Sequence, residues 1–443
     1  MIAKTFSRGI HPEDRKERTQ DLPIRTGHVP KTIILPLQQH AGRACEALVA
    51  RGDQVLVGQK IADSDAQIAA PIHSSVSGKV KAIEPRLHCS GIKITSIVIE
   101  SDGEQSTVDY KKPSVDPSPQ EIRALVREAG VVGLGGAAFP THVKINPPQG
   151  TNVDSVIVNG CECEPFLTGD YRLMLEESAS IVDGLKLLKT AVGAERGYIG
   201  IETNKPDAIE VITGATLGDN DIEVVPLEAK YPQGAEKQLI MAVLNRVVPV
   251  RALPSAVGAL VQNVETTIAI SRAVRAGEPL MTKVLTVSGG GIINTANLRV
   301  QIGTPIADVI SACGGLRDGV AQIILGGPMM GTALTGLEAP VVKATSGILA
   351  LTGQEIINRD IQPCIKCGRC VEVCPMGLQP SRLGNLVEFE ILDEFEDNDI
   401  MDCVECGSCA FICPSRRPLV QYIKLGKYML AQKGRKRKTA SIK

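Results

Sequence analysis

Two stretches of the sequence share one cysteine pattern, CIKCGRCVEVCP at residues 364–375 and CVECGSCAFICP at residues 403–414. Each reads C-x2-C-x2-C-x3-C-P, and the second begins 39 residues after the first. A glycine, Gly368 or Gly407, stands between the second and third cysteine, where the backbone must come close to whatever the thiols hold. The two stretches contain eight of the chain's 13 cysteines, so the sequence predicts metal chemistry rather than a disulfide framework.

Three thiolates spaced two residues apart can surround one corner of an iron–sulfur cluster, while the fourth points elsewhere. In two-cluster proteins with this run the fourth cysteine binds the other cluster. We therefore predict two [4Fe–4S] clusters with crossed ligands. The first cluster would take Cys364, Cys367, Cys370 and Cys413, and the second would take Cys403, Cys406, Cys409 and Cys374. Zinc is the alternative, but paired CxxC motifs do not explain the third evenly spaced cysteine or the Cys-Pro ending.

The segment between the two stretches, residues 375–402, carries spaced apolar residues and then an acidic run. The apolar residues are Leu383, Leu386, Val387, Phe389 and Ile391. This pattern predicts a helix rather than the short loop of a minimal ferredoxin. After the second stretch, the basic run Lys433–Lys438 is predicted to be a solvated end, with contact to anionic lipid as the alternative.

Composition excludes several classes of function. The 443 residues carry 48 Lys and Arg against 49 Asp and Glu, so no global field draws the chain to nucleic acid. Six Tyr, six Phe and no Trp leave few platforms for stacking bases. We expect no secretory signal, since the first residues lack a basic region followed by an apolar core, and the longest uncharged run, residues 319–337, has five glycines and a proline. We expect an intracellular protein with no membrane span and no nucleic-acid partner.

A glycine-rich segment, AGVVGLGGAAFPT at residues 129–141, follows an amphipathic helix predicted over Glu121–Glu128. The next strand, predicted over Asp154–Asn159, ends in the polar tip GCECEP at residues 160–165. Main-chain amides of such a loop can cradle phosphate, and α/β proteins bind ligands at the ends of parallel strands. A tight packing turn remains the alternative for the glycines, as do two small residues in a turn for Cys161 and Cys163. Further strands and helices, including a strand at Val224–Leu227 and a helix at Ala235–Val243, complete a βαβ pattern.

Four segments resemble, in order, the FMN- and NADH-binding segments of the flavin-bearing subunit of respiratory complex I. They are Gly133–Lys144, Asn159–Pro165, Tyr231–Glu236 and Asn263–Thr266. The resemblance implies an FMN set of Asn159, Glu162, Asn263 and Thr266, with Gly133, Gly135, Gly136 and Lys144 near flavin and nucleotide phosphates. It further implies that Glu164, Tyr231 and Gly234 help to bind the cofactor, that Glu236 lies near the nicotinamide nucleotide, and that Lys144 and Glu236 are the catalytic pair. Complex I has Arg, Asp and Glu where this chain has Leu134, Cys161 and Ala235, so FMN is better supported than the nucleotide.

Two further modules flank the flavin segments. Residues 31–112 resemble a lipoyl/biotinyl-type barrel-sandwich hybrid. The hairpin Ala62–Gln67 has no lysine, so we expect no attached group, and we expect His73 and His88 to be packed or solvated rather than ligands. Residues 281–354 resemble the β-grasp domain, of SLBB type, that follows the flavin domain in complex I. Met329 and Met330 are expected to fill a core, with a functional pair as the alternative. The predicted architecture is multidomain α/β: an amino-terminal extension (1–30), the barrel-sandwich hybrid, a Rossmann-like flavin domain (113–280), the β-grasp domain and an α-helical double-cluster domain (355–443).

This order of modules resembles the C subunits of Rnf ion-translocating electron-transport complexes. The resemblance implies a peripheral subunit on the cytoplasmic side of the cell membrane, held by membrane and ferredoxin-like partner subunits. It would exchange electrons between NADH, its substrate, FMN and the two clusters, in an NADH:ferredoxin oxidoreductase that translocates Na⁺ or H⁺. A flavin and iron–sulfur cobalamin reductase is one alternative, although its flavin motif lies closer to the amino terminus. A quinone-binding or scaffold subunit like that of the Na⁺-pumping NADH:quinone reductase is another, although that relative lacks the cluster cysteines.

Overall fold

The computed structural model describes residues 3–110, 116–356, 360–395 and 397–440. Its strands are β1 (Ile24–Thr26), β2 (Thr32–Pro36), β3 (Glu46–Ala47), β4 (Gln54–Val55), β5 (Lys60–Asp63), β6 (Ile72–His73), β7 (Gly78–Leu87), β8 (Lys93–Ser101), β9 (Ser155–Gly160), β10 (Arg196–Glu202), β11 (Ile222–Leu227), β12 (Ala259–Asn263), β13 (Thr282–Ser288), β14 (Ala296–Gln301), β15 (Val320–Leu325), β16 (Thr332–Ala333) and β17 (Gly347–Thr352). Its α-helices are α1 (Pro119–Glu128), α2 (Thr141–Lys144), α3 (Gly169–Glu176), α4 (Ser178–Val192), α5 (Pro206–Ala215), α6 (Glu236–Leu244), α7 (Val264–Ala276), α8 (Ile306–Ala312), α9 (Arg369–Glu372), α10 (Pro380–Glu388), α11 (Ser408–Phe411) and α12 (Leu419–Ala440). Among these described helices, none is both long enough and apolar enough to cross a membrane.

The first module packs two small antiparallel sheets, in the orders β2-β8-β7-β4 and β3-β5-β6. Residues two apart on β2 and β8 point to one face, so Ile33, Leu35, Ile97 and Ile99 are fully buried together. Gly78 begins β7 and pairs with Ser101 of β8, and a β-carbon there would stand 2.1 Å from the carbonyl oxygen of Glu100. A glycine is therefore required at this position.

The flavin domain is built on a four-stranded parallel sheet, in the order β11-β10-β9-β12. Helices cover both of its faces, so β9 is almost continuously buried, as expected for a central parallel strand. Val156 and Val158 pack toward α4 and α7, while Ile157 between them packs toward α6. The predicted strand and helices are present. Helix α1 begins earlier than expected because Ser118 and Glu121 form a capping box and Pro119 occupies the first turn.

The third module is a six-stranded mixed sheet, in the order β1-β14-β13-β17-β15-β16, with α8 packed on it. Its first strand comes from the amino-terminal segment, since β1 pairs in parallel with β14. The same segment also touches the flavin domain, where Lys4 bridges Leu227 and Ile10 bridges Tyr231. The segment expected as an extension is thus a strap that joins the two modules.

The carboxyl-terminal domain is helical. Leu383, Phe395, Ile400 and Ile423 are fully buried between α10 and α12. The helix predicted over residues 375–402 covers only part of that segment, because Glu390 adopts the left-handed conformation just after α10 and ends it. Turns of 3₁₀ helix follow at Leu392–Glu394 and Ile400–Asp402. The backbone of α12 continues through the basic run to Ala440, and the side chains of residues 434–440 lie outside the described part of the chain.

Candidate functional site: flavin crevice and cluster domain

The parallel sheet has a topological switch point between β9 and β12. From β9 the chain proceeds outward through β10 to β11, and then returns to add β12 on the other side of β9. A crevice opens at such a point beyond the carboxyl ends of the strands. Asn159, the next-to-last residue of β9, pairs in register with Asn263, the last residue of β12. The fold therefore brings together two residues that are 104 positions apart in the sequence.

The glycine loop lies over this crevice. The main-chain N–H of Leu134 donates to the Thr266 hydroxyl at 2.8 Å, which ties the loop to the first turn of α7. A β-carbon on Gly135 would stand 3.2 Å from the Asn263 side chain, so the loop approaches that residue closely only because it is glycine. Gly135 and Gly136 are exposed, and a β-carbon on Gly136 would meet no atom within 4 Å. The loop thus presents bare backbone above the two asparagines.

Both asparagines are oriented by hydrogen bonds. Asn159 donates to the carbonyl of Gly234 at 2.7 Å and accepts from the N–H of Cys161 at 3.1 Å. Asn263 caps α7 by accepting from the N–H groups of Glu265 and Thr266. Its amide also donates to the Asp170 carboxylate at 2.6 Å. Gly234, Thr266 and the two asparagines are therefore parts of one hydrogen-bonded wall.

Both carboxylates of the polar tip after β9 accept hydrogen bonds from main-chain N–H groups. Glu162 accepts from the N–H groups of Asp170 at 2.7 Å and Tyr171 at 3.1 Å, which places it at the amino terminus of α3. Glu164 accepts from the N–H groups of Met329 at 3.0 Å and Met330 at 2.9 Å. Burial raises the pKa of Glu164 to about 7 despite these hydrogen bonds. Met329 and Met330 thus contribute backbone donors to the flavin domain, although they belong to the β-grasp module.

Lys144 and Glu236 meet at the side of the crevice. The Lys144 ammonium is 2.6 Å from the Glu236 carboxylate, and about a third of each side chain is exposed. Lys144 ends the short helix α2 after the glycine loop, and Glu236 begins α6 after Gly234. The structure therefore joins the two residues that the resemblance implied to be a catalytic pair.

Tyr231 links the crevice to the cluster domain. Its side chain is 1% exposed, and its hydroxyl donates to the main-chain carbonyl of Cys406 at 2.7 Å. Cys406, Cys163 and Met329 pack around it in one apolar group with Ile10. The loop that carries Tyr231 and Gly234 thus contacts both the flavin crevice and the second cysteine run.

One cavity is lined by four thiols that the sequence placed in a single set, namely Cys374, Cys403, Cys406 and Cys409. Its other lining is mainly apolar, including Val404, Val420 and Ile423. Burial raises the pKa of Cys403 to about 11, so these thiols need a cation nearby to ionise. Within the described residues, no three His, Cys, Asp or Glu side chains lie close enough together to hold one metal ion.

The other four cysteines of the runs are not among the residues that line this cavity. Cys370 packs against Cys409, with Cys413 at the edge of the same group. Cys364 and Cys367 are exposed on the loop before α9. Cys409 therefore borders both sets, and the two predicted clusters would be neighbours.

Comparison with known proteins identifies each module. Residues 4–104 match the model of the RnfC barrel sandwich hybrid domain, and residues 126–272 match that of the Nuo51 FMN-binding domain. Residues 284–333 match the SLBB domain, and residues 356–417 match a 4Fe-4S dicluster domain. The predicted fold class is confirmed, as are FMN and two [4Fe–4S] clusters as cofactors. The zinc alternative is not retained.

Relatives match almost the whole chain. The C subunit of the Na⁺-translocating ferredoxin:NAD⁺ oxidoreductase complex of Acetobacterium woodii is 44% identical over 98% of both chains. The proton-translocating counterpart of Clostridium ljungdahlii is 46% identical over 96% of this chain and 93% of its own. The chain belongs to the RnfC family of Rnf ion-translocating oxidoreductase complexes. A solved NAD⁺-reducing [NiFe]-hydrogenase aligns at a TM-score of 0.49 and 20% identity over 70% of this chain and 60% of that one, which supports no functional argument.

The crevice of this Rnf-family chain fits FMN. It combines an exposed glycine backbone, a partly exposed lysine and oriented side-chain amides at a switch point, and donors of these kinds suit a phosphorylated planar ligand. The four-thiol cavity likewise fits a cluster whose ligands come three from one run and one from the other. In both places the residues present suit the group that the family carries.

Sequence reasoning missed two buried lysines that hold the polar tip. Lys16, in the amino-terminal strap, donates to the carbonyls of Glu162 and Glu164, each at 3.0 Å, and also to that of Leu167. Lys205 donates to the carbonyl of Cys161 at 2.7 Å and pairs with Glu202 at 3.0 Å. Burial lowers the pKa of Lys16. Both lysines are far from the polar tip in the sequence, so no local pattern indicates that they contact its carbonyls.

Cys161 and Cys163 point to opposite sides of the tip. Cys161 packs under the sheet with Ile157 and Leu239, whereas Cys163 lies in the group around Tyr231 and Cys406. Burial raises the pKa of each thiol well above the ordinary value of a cysteine. These are the small packed residues that the turn alternative described.

Proposed function

We propose that this chain is the subunit through which an ion-translocating ferredoxin:NAD⁺ oxidoreductase exchanges electrons with NADH. The observation that carries the proposal is the hydrogen bond from Tyr231 to the Cys406 carbonyl, because one residue of the flavin crevice directly contacts one of the thiol-bearing runs. The names of the relatives agree with it, since each describes the C subunit of a ferredoxin:NAD⁺ oxidoreductase complex.

The arrangement supports one order of electron carriers. FMN, when bound, exchanges two electrons with NADH and single electrons with a cluster, which makes it the converter between the two kinds of carrier. The thiol set that contains Cys406 adjoins the crevice through Tyr231, so it would hold the cluster next to FMN. In the other set Cys364 and Cys367 are exposed, so this set would hold the outer cluster, which faces the partner subunits.

Individual residues have distinct parts in this proposal. Asn159, Glu162, Asn263 and Thr266 would form the FMN wall beneath the glycine loop. The Lys144 ammonium would neutralise a phosphate, and the Glu236 carboxylate would accept from hydroxyls of the nucleotide, while their ion pair keeps both side chains in place. The buried lysines Lys16 and Lys205 position the polar tip through main-chain carbonyls.

The chain would work at a membrane through its partners. The relatives are subunits of ion-translocating complexes. We therefore place this chain on the cytoplasmic side as a peripheral subunit, with membrane and ferredoxin-like subunits as partners.

An anaerobic titration of the cluster-reconstituted protein with NADH tests the proposal. With FMN added, NADH should bleach the flavin absorbance and produce reduced-cluster EPR signals, and without FMN it should produce neither. Asn159→Ala should lower the bound FMN, because it removes hydrogen bonds to Gly234 and Cys161, whereas Asn220→Ala in an exposed turn should not. Clusters that dithionite reduces but NADH plus FMN never reduces would refute the proposal.

A further inference from the structure

The two cysteine runs have the same backbone but opposite surroundings. Lys366 and Glu405, at equivalent positions, have φ of 55° and 57°, and Gly368 and Gly407 have φ of 78° and 81°. Every residue from 361 to 369 is nevertheless exposed, whereas Cys406, Gly407, Ser408 and Cys409 in the second run are all buried. The two runs therefore share one backbone conformation, but other parts of the protein cover the second run and leave the first exposed.

The residues that contact the second run show which groups can bind a run of this kind. Tyr231 donates its hydroxyl to the Cys406 carbonyl. The carbonyl of Met329 lies 2.9 Å from the point where a β-carbon of Gly407 would stand, so the neighbouring loop rests on this glycine. Val404 packs beside Met329 and Ile10 in the same apolar group. The flavin domain therefore contacts the second run through an apolar group and one hydrogen bond to a cysteine carbonyl.

The first run presents the equivalent features without a cover. Ile365, which corresponds to Val404, is 68% exposed, and a β-carbon on Gly368 would meet nothing within 4 Å. Ile361 and Phe411 are also exposed, at 58% and 50%. The N–H of Gln362 donates to the Ser415 carbonyl at 2.9 Å, which joins the two segments that carry these side chains. Exposed apolar side chains thus stand beside the exposed thiols Cys364 and Cys367 in the chain, and Phe411 lies on the segment that is joined to them.

The exposed charged side chains between Cys364 and Cys370, Lys366 and Arg369, are both basic, whereas the carboxylate of Asp360 is exposed beside Ile361. Glu405 in the second run is paired with Lys427 at 2.7 Å, but the equivalent residue in the first run is the exposed Lys366. Arg369, also exposed, stands where the second run has the buried Ser408. Within the described chain neither cation forms an ion pair with a carboxylate. A partner that covers this face would therefore gain from presenting carboxylates.

We propose that Ile361, Ile365, Lys366, Arg369 and Phe411, here named the outer-cluster face, dock a one-electron carrier protein whose contact surface is apolar at its centre and acidic at its rim. The proposal deepens the proposed function and rests on it. One electron crosses this face in each encounter, so the carrier is reduced by one electron as the outer cluster is oxidised, or the reverse, and no bond is made or broken.

Two forms of one haem protein probe the face: cytochrome c, which is basic, and succinylated cytochrome c, in which lysine amines are replaced by carboxylates. The holoprotein, with FMN and both clusters, is reduced with dithionite, freed of excess reagent and mixed with either ferric probe at about 10 mM ionic strength, where screening is weak. Each turnover passes one electron to the ferric haem, which is followed by absorbance. Because dithionite supplies the electrons, the result does not depend on whether NADH enters this chain.

The acidic probe should react about tenfold faster than the basic one, since steering of this kind changes association rates by about ten to a thousand times. Lys366→Glu combined with Arg369→Glu should reverse the preference, and Ile365→Asp should slow both probes. Lys79→Glu, an exposed lysine on β7, is the matched control and should change neither rate. Cluster content by EPR verifies each variant. Equal rates for the two probes, or an unchanged preference in the double variant with intact clusters, would overturn the proposal even if NADH reduces the flavin.

Discussion

Replacing Lys205 with Met should destabilise the flavin domain and loosen the polar tip of β9. The Lys205 side chain is 1% exposed and its Glu202 partner 3%, with 3.0 Å between the charged groups. The same ammonium donates to the Cys161 carbonyl at 2.7 Å. The substitution therefore leaves a buried carboxylate without its cation and a buried carbonyl without its donor.

The expected loss in the free energy of unfolding is about 3–5 kcal/mol, the range found when one member of a buried ion pair is removed. Lys186 supplies the comparison, because it pairs with Asp219 at 2.8 Å but is 49% exposed. Lys186→Met should therefore lose at most about 1 kcal/mol. Glu202→Gln added to Lys205→Met should recover much of the loss, since the uncompensated charge is gone and the amide oxygen can still accept from Lys230.

Urea unfolding followed by far-UV circular dichroism measures these differences, and FMN fluorescence after filtration measures bound flavin. Burial already raises the pKa of Glu202, and loss of Lys205 should raise it further. The native form of the single variant then binds a proton that the unfolded chain does not, so its deficit should shrink as the pH falls from 7 toward 5. The reasoning fails if Lys205→Met is as stable as Lys186→Met, or if adding Glu202→Gln recovers nothing.

Two other predictions concern the thiol cavity and the barrel-sandwich hybrid. Cys374→Ala should remove the EPR signal of the cluster held by Cys403, Cys406 and Cys409, because all four thiols line one cavity. Cys413→Ala should remove the signal of the other cluster. The reverse pattern would contradict the crossed assignment. His73→Gln should flatten the acid sensitivity of the melting temperature, because burial, aided by the charge of Lys343, lowers the pKa of His73 from 6.5 to about 3. Below pH 6.5 only the unfolded chain gains this proton. The free energy of unfolding of the wild type should therefore fall by up to about 1.4 kcal/mol per pH unit as the pH falls toward 3. An equal pH dependence in the variant would exclude His73 as its source.

Local sequence determined much of the fold because its signals act over short distances. The cysteine spacing specifies which thiols can surround a cluster, and glycines at residues 368 and 407 specify a left-handed backbone in each run. The apolar stretch before Asn159 specified a buried strand, observed one residue later than expected. Ser118 and Glu121 likewise set the start of α1 within a single turn. Each of these features depends on residues within a few positions of one another.

The tertiary structure alone decided which distant groups meet. Lys16 reaches carbonyls that lie about 150 residues further along the chain, and Asn263 comes beside Asn159 only because β12 joins the sheet next to β9. It also decided that Tyr231 and Met329 cover the second cysteine run and leave the first open, although both runs read alike. Local sequence sets backbone conformation and ligand spacing, whereas burial and long-range pairing depend on how all the modules pack. The exposed face of this protein therefore could not be read from its motif.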